Sequence, residues 1–132
     1  MTIGELAKLA GVGVETIRFY EREGLLAEPA RLPSGYRQYP PAAVDRVKFL
    51  RQAQWLGFTL KDAKDLLALR DDPSAGSGDV RAKAVEKLAD IDARIAAMQE
   101  MRANLSRLVA ACDGDGPAHG CPIISAIASN PA

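Results

Sequence analysis

The feature that most constrains the fold is a run of about 32 residues, from Val80 to Ala111, that contains neither proline nor glycine. Arg102 alone interrupts its apolar stripe, whose members alternate four and three positions apart: Ala84, Leu88, Ile91, Ile95, Met98, Leu105 and Val109. A solitary helix of this length would leave the stripe in water. The pattern therefore predicts a coiled coil, parallel or antiparallel, between two copies of the chain, and we expect a homodimer.

The first 24 residues show a different pattern, that of two short helices around a glycine turn. Apolar residues at helical spacing occupy positions 3–10, and Gly11-Val12-Gly13 interrupts them. A second helical pattern runs from Val14 to Glu23, with Gly24 as a candidate cap at its end. Two short helices joined by a turn of three or four residues that contains glycine are typical of a helix-turn-helix.

A wing and two further helices are predicted after this motif. Residues 25–39 contain prolines and the pair Ser34-Gly35, which favours a hairpin-like wing. Helices are predicted from about Ala42 to Leu56 and from Leu60 to about Arg70, and Trp55 is predicted to lie in a hinge region or to pack against a domain. We expect a winged helix-turn-helix domain over 1–70, a linker over 71–79, a dimerisation helix over 80–111, and a metal-binding loop with a short helix over 112–132. The fold class is all-α with a small β-wing.

The charge distribution and the motif together point to DNA. Residues 1–70 carry 11 basic and 8 acidic side chains, net +3, whereas residues 71–132 carry 6 and 9, net −3. Arginines interleaved with tyrosines are suited to hydrogen bonds with phosphates. The predicted DNA-contacting residues lie on the second helix and in the wing: Thr16, Arg18, Tyr20, Arg31, Tyr36 and Arg37.

The only two cysteines, Cys112 and Cys121, have eight residues between them in a glycine-containing loop. Two thiolates at this spacing are suited to one soft metal ion, with His119 or an aspartate of the loop as a possible further ligand. A redox-active disulfide is the alternative use of the same pair.

Several classes of protein are disfavoured by the sequence. We see neither a signal-peptide pattern nor a run of about 18 apolar residues, so a cytoplasmic protein without a membrane segment is expected. No catalytic constellation of nucleophile, base and oxyanion donors is recognisable, so the sequence does not indicate an enzyme.

With these residues in place, the chain resembles the metal-sensing branch of the MerR family of transcriptional regulators over nearly its whole length. The matching segments are Ile3–Ala7, Thr16–Glu21, Gly24–Leu26, Arg31, Gly35–Tyr39, Leu50–Ala53, Leu56–Leu60 and Cys121–Ile124. The resemblance implies a winged helix-turn-helix domain, an antiparallel coiled-coil homodimer, and a metal loop covered by the partner protomer. It also implies binding to double-stranded promoter DNA, where the metal-bound dimer distorts the spacer so that RNA polymerase can start transcription of efflux or detoxification genes.

The identity of the metal depends on Ser77. In the family that the chain resembles, divalent-metal sensors carry a third cysteine near this position, whereas sensors similar to the copper-efflux regulators carry serine. Two thiolates and a serine favour Cu(I), with Ag(I) and Au(I) as chemical equivalents. The eight-residue loop is instead similar to that of the sensors of Hg(II), Pb(II) and Zn(II), which remain the alternative, together with a thiol-disulfide redox regulator.

Overall fold

A computed structural model describes residues 1–35 and 37–129, in which six α-helices, one two-stranded sheet and one 3₁₀ turn are found. The first helix, α1 (Ile3–Ala10), begins with a capping box in which the Glu5 backbone N–H donates to the Thr2 hydroxyl oxygen at 3.1 Å. It ends at Gly11, whose φ of 72° is a left-handed conformation that favours glycine. The next helix, α2 (Val14–Arg22), follows directly, so the predicted helix-turn-helix is confirmed.

The predicted wing is a short antiparallel hairpin. Its strands are β1 (Ala30–Arg31) and β2 (Arg37–Gln38), with Ala30 opposite Gln38 and Arg31 opposite Arg37. Tyr39 ties the wing to the start of the chain, because its backbone N–H donates to the Met1 carbonyl at 2.8 Å and its carbonyl accepts from the N-terminal ammonium group at 3.0 Å. The hairpin is therefore fastened to the helical part of the domain.

Two helices complete the domain and close its core. They are α3 (Ala42–Trp55) and α4 (Leu60–Asp71), and α4 begins with a second capping box between Thr59 and Asp62. The core is formed by side chains from all four helices, the loop after α2 and the end of the wing: Leu6, Ala7, Ala10, Ile17, Tyr20, Leu25, Leu26, Tyr39, Ala43, Val47, Leu50, Ala53, Ala63 and Leu67. Trp55 is not part of it and is 77 % exposed, so its predicted packing role is wrong for the single chain.

The long helix α5 (Ser77–Ala111) begins three residues earlier than the predicted start at Val80, so the linker is shorter than expected. The reason is a local cap: the Asp79 carboxylate accepts a hydrogen bond from the Gly76 backbone N–H at 3.2 Å, which stabilises the first turn. The chain divides into two compact units, Met1–Lys87 and Leu88–Ala132. The first turns of α5 thus belong to the first unit.

Residues 88–129 contain no buried residue in the described part of the chain. On α5 the heptad residues Leu88, Met98 and Val109 are 59, 62 and 62 % exposed. The last helix, α6 (Pro122–Ser129), starts at a proline, and its Ile124 and Ile127 are 48 and 67 % exposed. The apolar side of α6 is therefore not fully covered within one chain. None of the helices described here has the length and apolarity required to cross a bilayer.

Candidate functional site

The two cysteines face each other across the loop between α5 and α6. Cys112 follows the last turn of α5, and its backbone N–H donates to the carbonyls of Leu108 at 3.1 Å and Val109 at 3.3 Å. Cys121 directly precedes α6. The Sγ atoms of the two cysteines are 3.2 Å apart, and both thiols are free.

Two glycines in the loop make this approach possible. Gly114 and Gly116 have φ values of 80° and 91°, a region that side chains rarely adopt. Between them, the Asp115 backbone N–H donates to the Asp113 carboxylate at 2.9 Å, which closes a local turn. The loop therefore folds back on itself and returns the chain to the end of α5.

The surroundings of Cys121 favour its thiolate. The pKa of this thiol is lowered from its ordinary value, first by the hydrogen bond with Cys112 and then by the backbone N–H groups of Ile123 and Ile124 in the first turn of α6. These N–H groups have no partner within the helix and can donate to an anion. The Asp113 carboxylate acts in the opposite direction. The hydrogen bond with Cys112 and the start of α6 therefore both favour the thiolate form of Cys121, which is the form that metals bind.

The donor set suits a soft ion with few ligands. Across residues 1–35 and 37–129, no group of three His, Cys, Asp or Glu side chains lies close enough to hold a metal together. His119 lies in the exposed 3₁₀ turn Ala118–Gly120, and Asp113 and Asp115 are exposed. Zinc in structural sites takes four ligands in a tetrahedron, whereas two thiolates satisfy a soft monovalent ion. The residues present therefore fit a two-thiolate ion better than a structural zinc.

The sulfur separation describes a reduced pair. A disulfide bond is about 2.05 Å long, and the observed 3.2 Å is longer. Cys112 and Cys121 would be the residues that hold a soft metal ion, to which they would supply two thiolate ligands.

Of the predicted DNA-contacting residues on α2, Arg18 is exposed and Thr16 is half-buried. Arg18 forms an exposed ion pair with Glu15 at 3.2 Å, one turn earlier on the same helix. An exposed pair of this kind contributes little free energy, so a phosphate can replace the carboxylate as partner of the arginine.

Tyr20, which the sequence placed near DNA, lies in the core instead, as does Tyr39. Tyr20 is 1 % exposed, and its hydroxyl donates to the Gln54 side-chain oxygen at 2.6 Å. It lies three residues after the buried Ile17, so helical periodicity turns both toward the core. Tyr39 is also 1 % exposed, and its hydroxyl donates to the Glu21 carboxylate. The predicted phosphate contact of the Tyr20 side chain is therefore wrong.

The remaining predicted contacts belong to the wing. Arg31 and Arg37 are opposite each other on β1 and β2, which places their backbones in the hairpin as expected. Their side chains, and all of Tyr36, lie outside the described residues.

The structure adds one contact that the sequence analysis did not single out. The Arg51 guanidinium on α3 donates to the Gly11 carbonyl in the turn of the helix-turn-helix. The two residues are 40 positions apart, and no local pattern predicts such a pair. Arg51 was visible only as part of the segment Leu50–Ala53 that resembles the MerR family.

Comparison with known proteins supports the same interpretation. The family pattern described as "MerR HTH family regulatory protein" matches residues 1–69, and the pattern "MerR, DNA binding" matches residues 44–108. The transcriptional regulator HmrR of Sinorhizobium medicae is 43 % identical over 128 residues, which are 97 % of this chain and 86 % of that protein. The regulator CueR of Escherichia coli O6:H1 is 41 % identical over 124 residues, which are 94 % and 91 % of the two chains.

Two solved structures are similar over almost the entire length. The regulator PbrR691 of Ralstonia metallidurans CH34, in complex with lead(II), has a TM-score of 0.85 and 35 % identity, covering 96 % of this chain and 98 % of that one. The regulator MerR of Bacillus megaterium MB1, in complex with mercury(II), has a TM-score of 0.71 and 34 % identity, covering 98 % and 100 %. The chain therefore belongs to the MerR family of helix-turn-helix, DNA-binding transcriptional regulators, which are not enzymes.

Proposed function

We propose that this protein is a metal-responsive transcriptional activator whose homodimer binds promoter DNA and whose Cys112 and Cys121 hold one monovalent soft ion, Cu(I) or its equivalents Ag(I) and Au(I). The observation that carries the proposal is the pair of free thiols, whose sulfurs are 3.2 Å apart. In the described part of the chain, no third His, Cys, Asp or Glu side chain joins them to form a larger group of metal ligands. The similarity to CueR and HmrR supports it.

The charge of the site explains the preference for a monovalent ion. Two thiolates around a monovalent ion carry one net negative charge, which the N–H groups of Ile123 and Ile124 are placed to stabilise. Around a divalent ion the pair is neutral, and its coordination is incomplete without a third strong donor. Ser77, at the first position of α5, supplies a hydroxyl where a third thiolate would favour a divalent ion.

Regulation of transcription depends on the loop between α5 and α6, which the two cysteines enclose. Cys112 directly follows α5 and Cys121 directly precedes α6, so a fixed separation of their sulfurs fixes the loop and the direction in which α6 leaves it. The two states of the loop then favour different arrangements of the dimer on its operator. Distortion of the promoter spacer costs deformation energy, and contacts that form in only one arrangement of the dimer offset this cost. RNA polymerase can start transcription from the distorted promoter.

A divalent ion is the second candidate, because the two similar solved structures hold lead(II) and mercury(II). A sensor of this kind would use the same cysteines with His119 or an aspartate of the loop. Anaerobic titration of the reduced dimer with Cu(I), Hg(II), Pb(II) and Zn(II), combined with transcription from a promoter that carries the operator, distinguishes the two. Activation by Cu(I) and Ag(I) but not by Zn(II) is expected, and activation by divalent ions alone contradicts the monovalent assignment.

Substitution of either cysteine separates sensing from DNA binding. We expect Cys112→Ser and Cys121→Ser to reduce transcription with metal to the level without metal, while operator affinity changes by no more than about twofold. Ser125→Ala, in the first turn of α6, is the matched control and should respond normally. Loss of operator affinity in the cysteine variants would show that the loop is structural. A reduced protein that binds no metal but loses activation on oxidation would instead support a disulfide switch.

The proposed DNA contacts are tested by substitution of Arg18. Arg18→Ala should weaken binding to operator and to unrelated DNA alike, and should reduce the slope of log affinity against log salt by about one, as expected for one lost phosphate contact. Metal stoichiometry should stay the same. An unchanged salt slope would remove Arg18 from the phosphate contacts.

A further inference from the structure

Two polar contacts tie the recognition helix α2 to α3 at both ends of α2. Before its first turn, the Gly11 carbonyl accepts a hydrogen bond from the Arg51 guanidinium. In its last turn, the Tyr20 hydroxyl donates to the Gln54 side-chain oxygen at 2.6 Å. Arg51 and Gln54 are three residues apart, so they lie on one face of α3.

The two contacts form one connected group. Burial raises the pKa of the Tyr20 hydroxyl, and the positive charge of Arg51 acts in the opposite direction, so the guanidinium lies close enough to influence this hydroxyl. A Cβ added at Gly11 would lie 3.3 Å from the Arg51 Nη1 atom, so the arginine is packed against the turn. The residues of both contacts line one cleft of about 380 Å³, together with Val12, Gly13 and Thr16.

Apolar contacts hold α2 against the core. Ile17 and Tyr20 are buried, and Val14 and Phe19 pack half-buried against the same core. Apolar contacts are not directional, so they tolerate small changes in the tilt of a helix. Polar contacts with defined geometry at both ends of α2 restrict this tilt.

We propose that Arg51 and Gln54 are positioning residues that fix the tilt of the recognition helix through Gly11 and Tyr20, so that they determine discrimination between operator and unrelated DNA without contacting DNA themselves. The inference concerns the DNA-binding activity of the family and is independent of the metal that the protein binds. Arg51 is exposed and positively charged, so a direct phosphate contact is the competing role that the experiment must separate from positioning.

The experiment compares binding of the full-length dimer to operator DNA and to scrambled DNA of the same length over a range of salt concentrations. Arg51→Ala should reduce operator affinity by about tenfold. Affinity for scrambled DNA should stay within about twofold and the salt slope should not change, because no phosphate contact is lost. Lys48→Ala, which removes an exposed positive charge from the same helix, is the matched control and should keep the ratio of the two affinities. Arg51→Lys retains a charged donor and should recover part of the loss.

Tyr20→Phe is the second variant, because it keeps the ring in the core and removes only the hydroxyl that binds Gln54. It should reduce operator affinity by about threefold, and less than that in an Arg51→Ala background, because coupled contacts are not additive. Equal losses on both DNAs together with a salt slope lowered by about one would make Arg51 a phosphate contact and overturn the proposal. Unchanged operator affinity in both variants would overturn it as well.

Discussion

The two compact units of this chain differ in whether their apolar side chains are buried within the single chain. In residues 1–87, helices α1, α3 and α4 contribute Leu6, Val47, Leu50 and Ala63, all 0 % exposed, to a core made within the chain. In residues 88–129 no described side chain is buried, although Leu88 and Val109 belong to the same class of residue. A short helix can pack on a neighbour after a turn, whereas a single long helix has no neighbour of its own. We therefore expect a second copy of the chain to cover the exposed stripe of the second unit.

The largest expected effect comes from a charge placed in the exposed stripe. Leu88→Asp should weaken the dimer by roughly a thousandfold, since a buried carboxylate without a partner is costly. Sedimentation equilibrium measures the dissociation constant directly. Ala93→Asp lies on the same helix, off the stripe, and should leave the dimer intact. A dimer that tolerates Leu88→Asp would contradict the assignment of the stripe to the interface.

A smaller effect is expected from the core of the first unit. Leu50→Ala should lower the free energy of unfolding by about 3 kcal/mol, because it removes fully buried methyl groups and leaves a cavity. Urea unfolding at several protein concentrations measures the loss, which should not depend on concentration. Leu105→Ala, 56 % exposed in the single chain, should instead change the concentration dependence through the dimer. If the two variants behaved alike, the contrast between the units would be wrong.

The smallest of these effects concerns the ion pairs between α4 and the first turns of α5. Asp62 caps α4 through Thr59 and also pairs with Lys87 at 3.5 Å and Lys83 at 4.0 Å. Its pKa is lowered, first by the hydrogen bond from the Thr59 backbone and further by Lys87. The resulting stability is complete above the ordinary pKa of 3.8 and is lost as the pH falls through the lowered value.

Asp62→Asn should therefore lower the free energy of unfolding by about 1 kcal/mol at neutral pH, with a difference from the unsubstituted protein that disappears in acid. Unfolding by urea at pH 7 and in acid measures both values. Asp65→Asn is the matched control, because Asp65 pairs with Lys83 at 3.0 Å but caps no helix. It should cost no more than about 0.5 kcal/mol, as expected for an exposed pair. A loss for Asp62→Asn that persists in acid would mean that packing, and not charge, is responsible.

Local patterns in the sequence were sufficient for much of the fold. Helical spacing and the glycine and proline turns predicted the helix-turn-helix, the wing and the long helix, because each depends on residues within a few positions of one another. The spacing of Cys112 and Cys121 likewise predicted that the two thiols meet at the end of α5, since both lie in one loop. The start of α5 at Ser77 was missed because Asp79 caps it by a hydrogen bond to Gly76.

What the sequence determined by itself is the set of helices, their apolar faces and the pair of thiols. Only the tertiary structure decided that Tyr20 faces Gln54 and not DNA, that Arg51 binds the turn at Gly11, and that Asp62 holds the first turns of α5. Tyr20 and Gln54 are 34 positions apart in the sequence, and Gly11 and Arg51 are 40 positions apart. Asp62 and Lys87 lie on two different helices. Periodicity reports which side of a helix is apolar, but the partner of a polar side chain depends on how the helices pack, and the packing is a property of the whole domain.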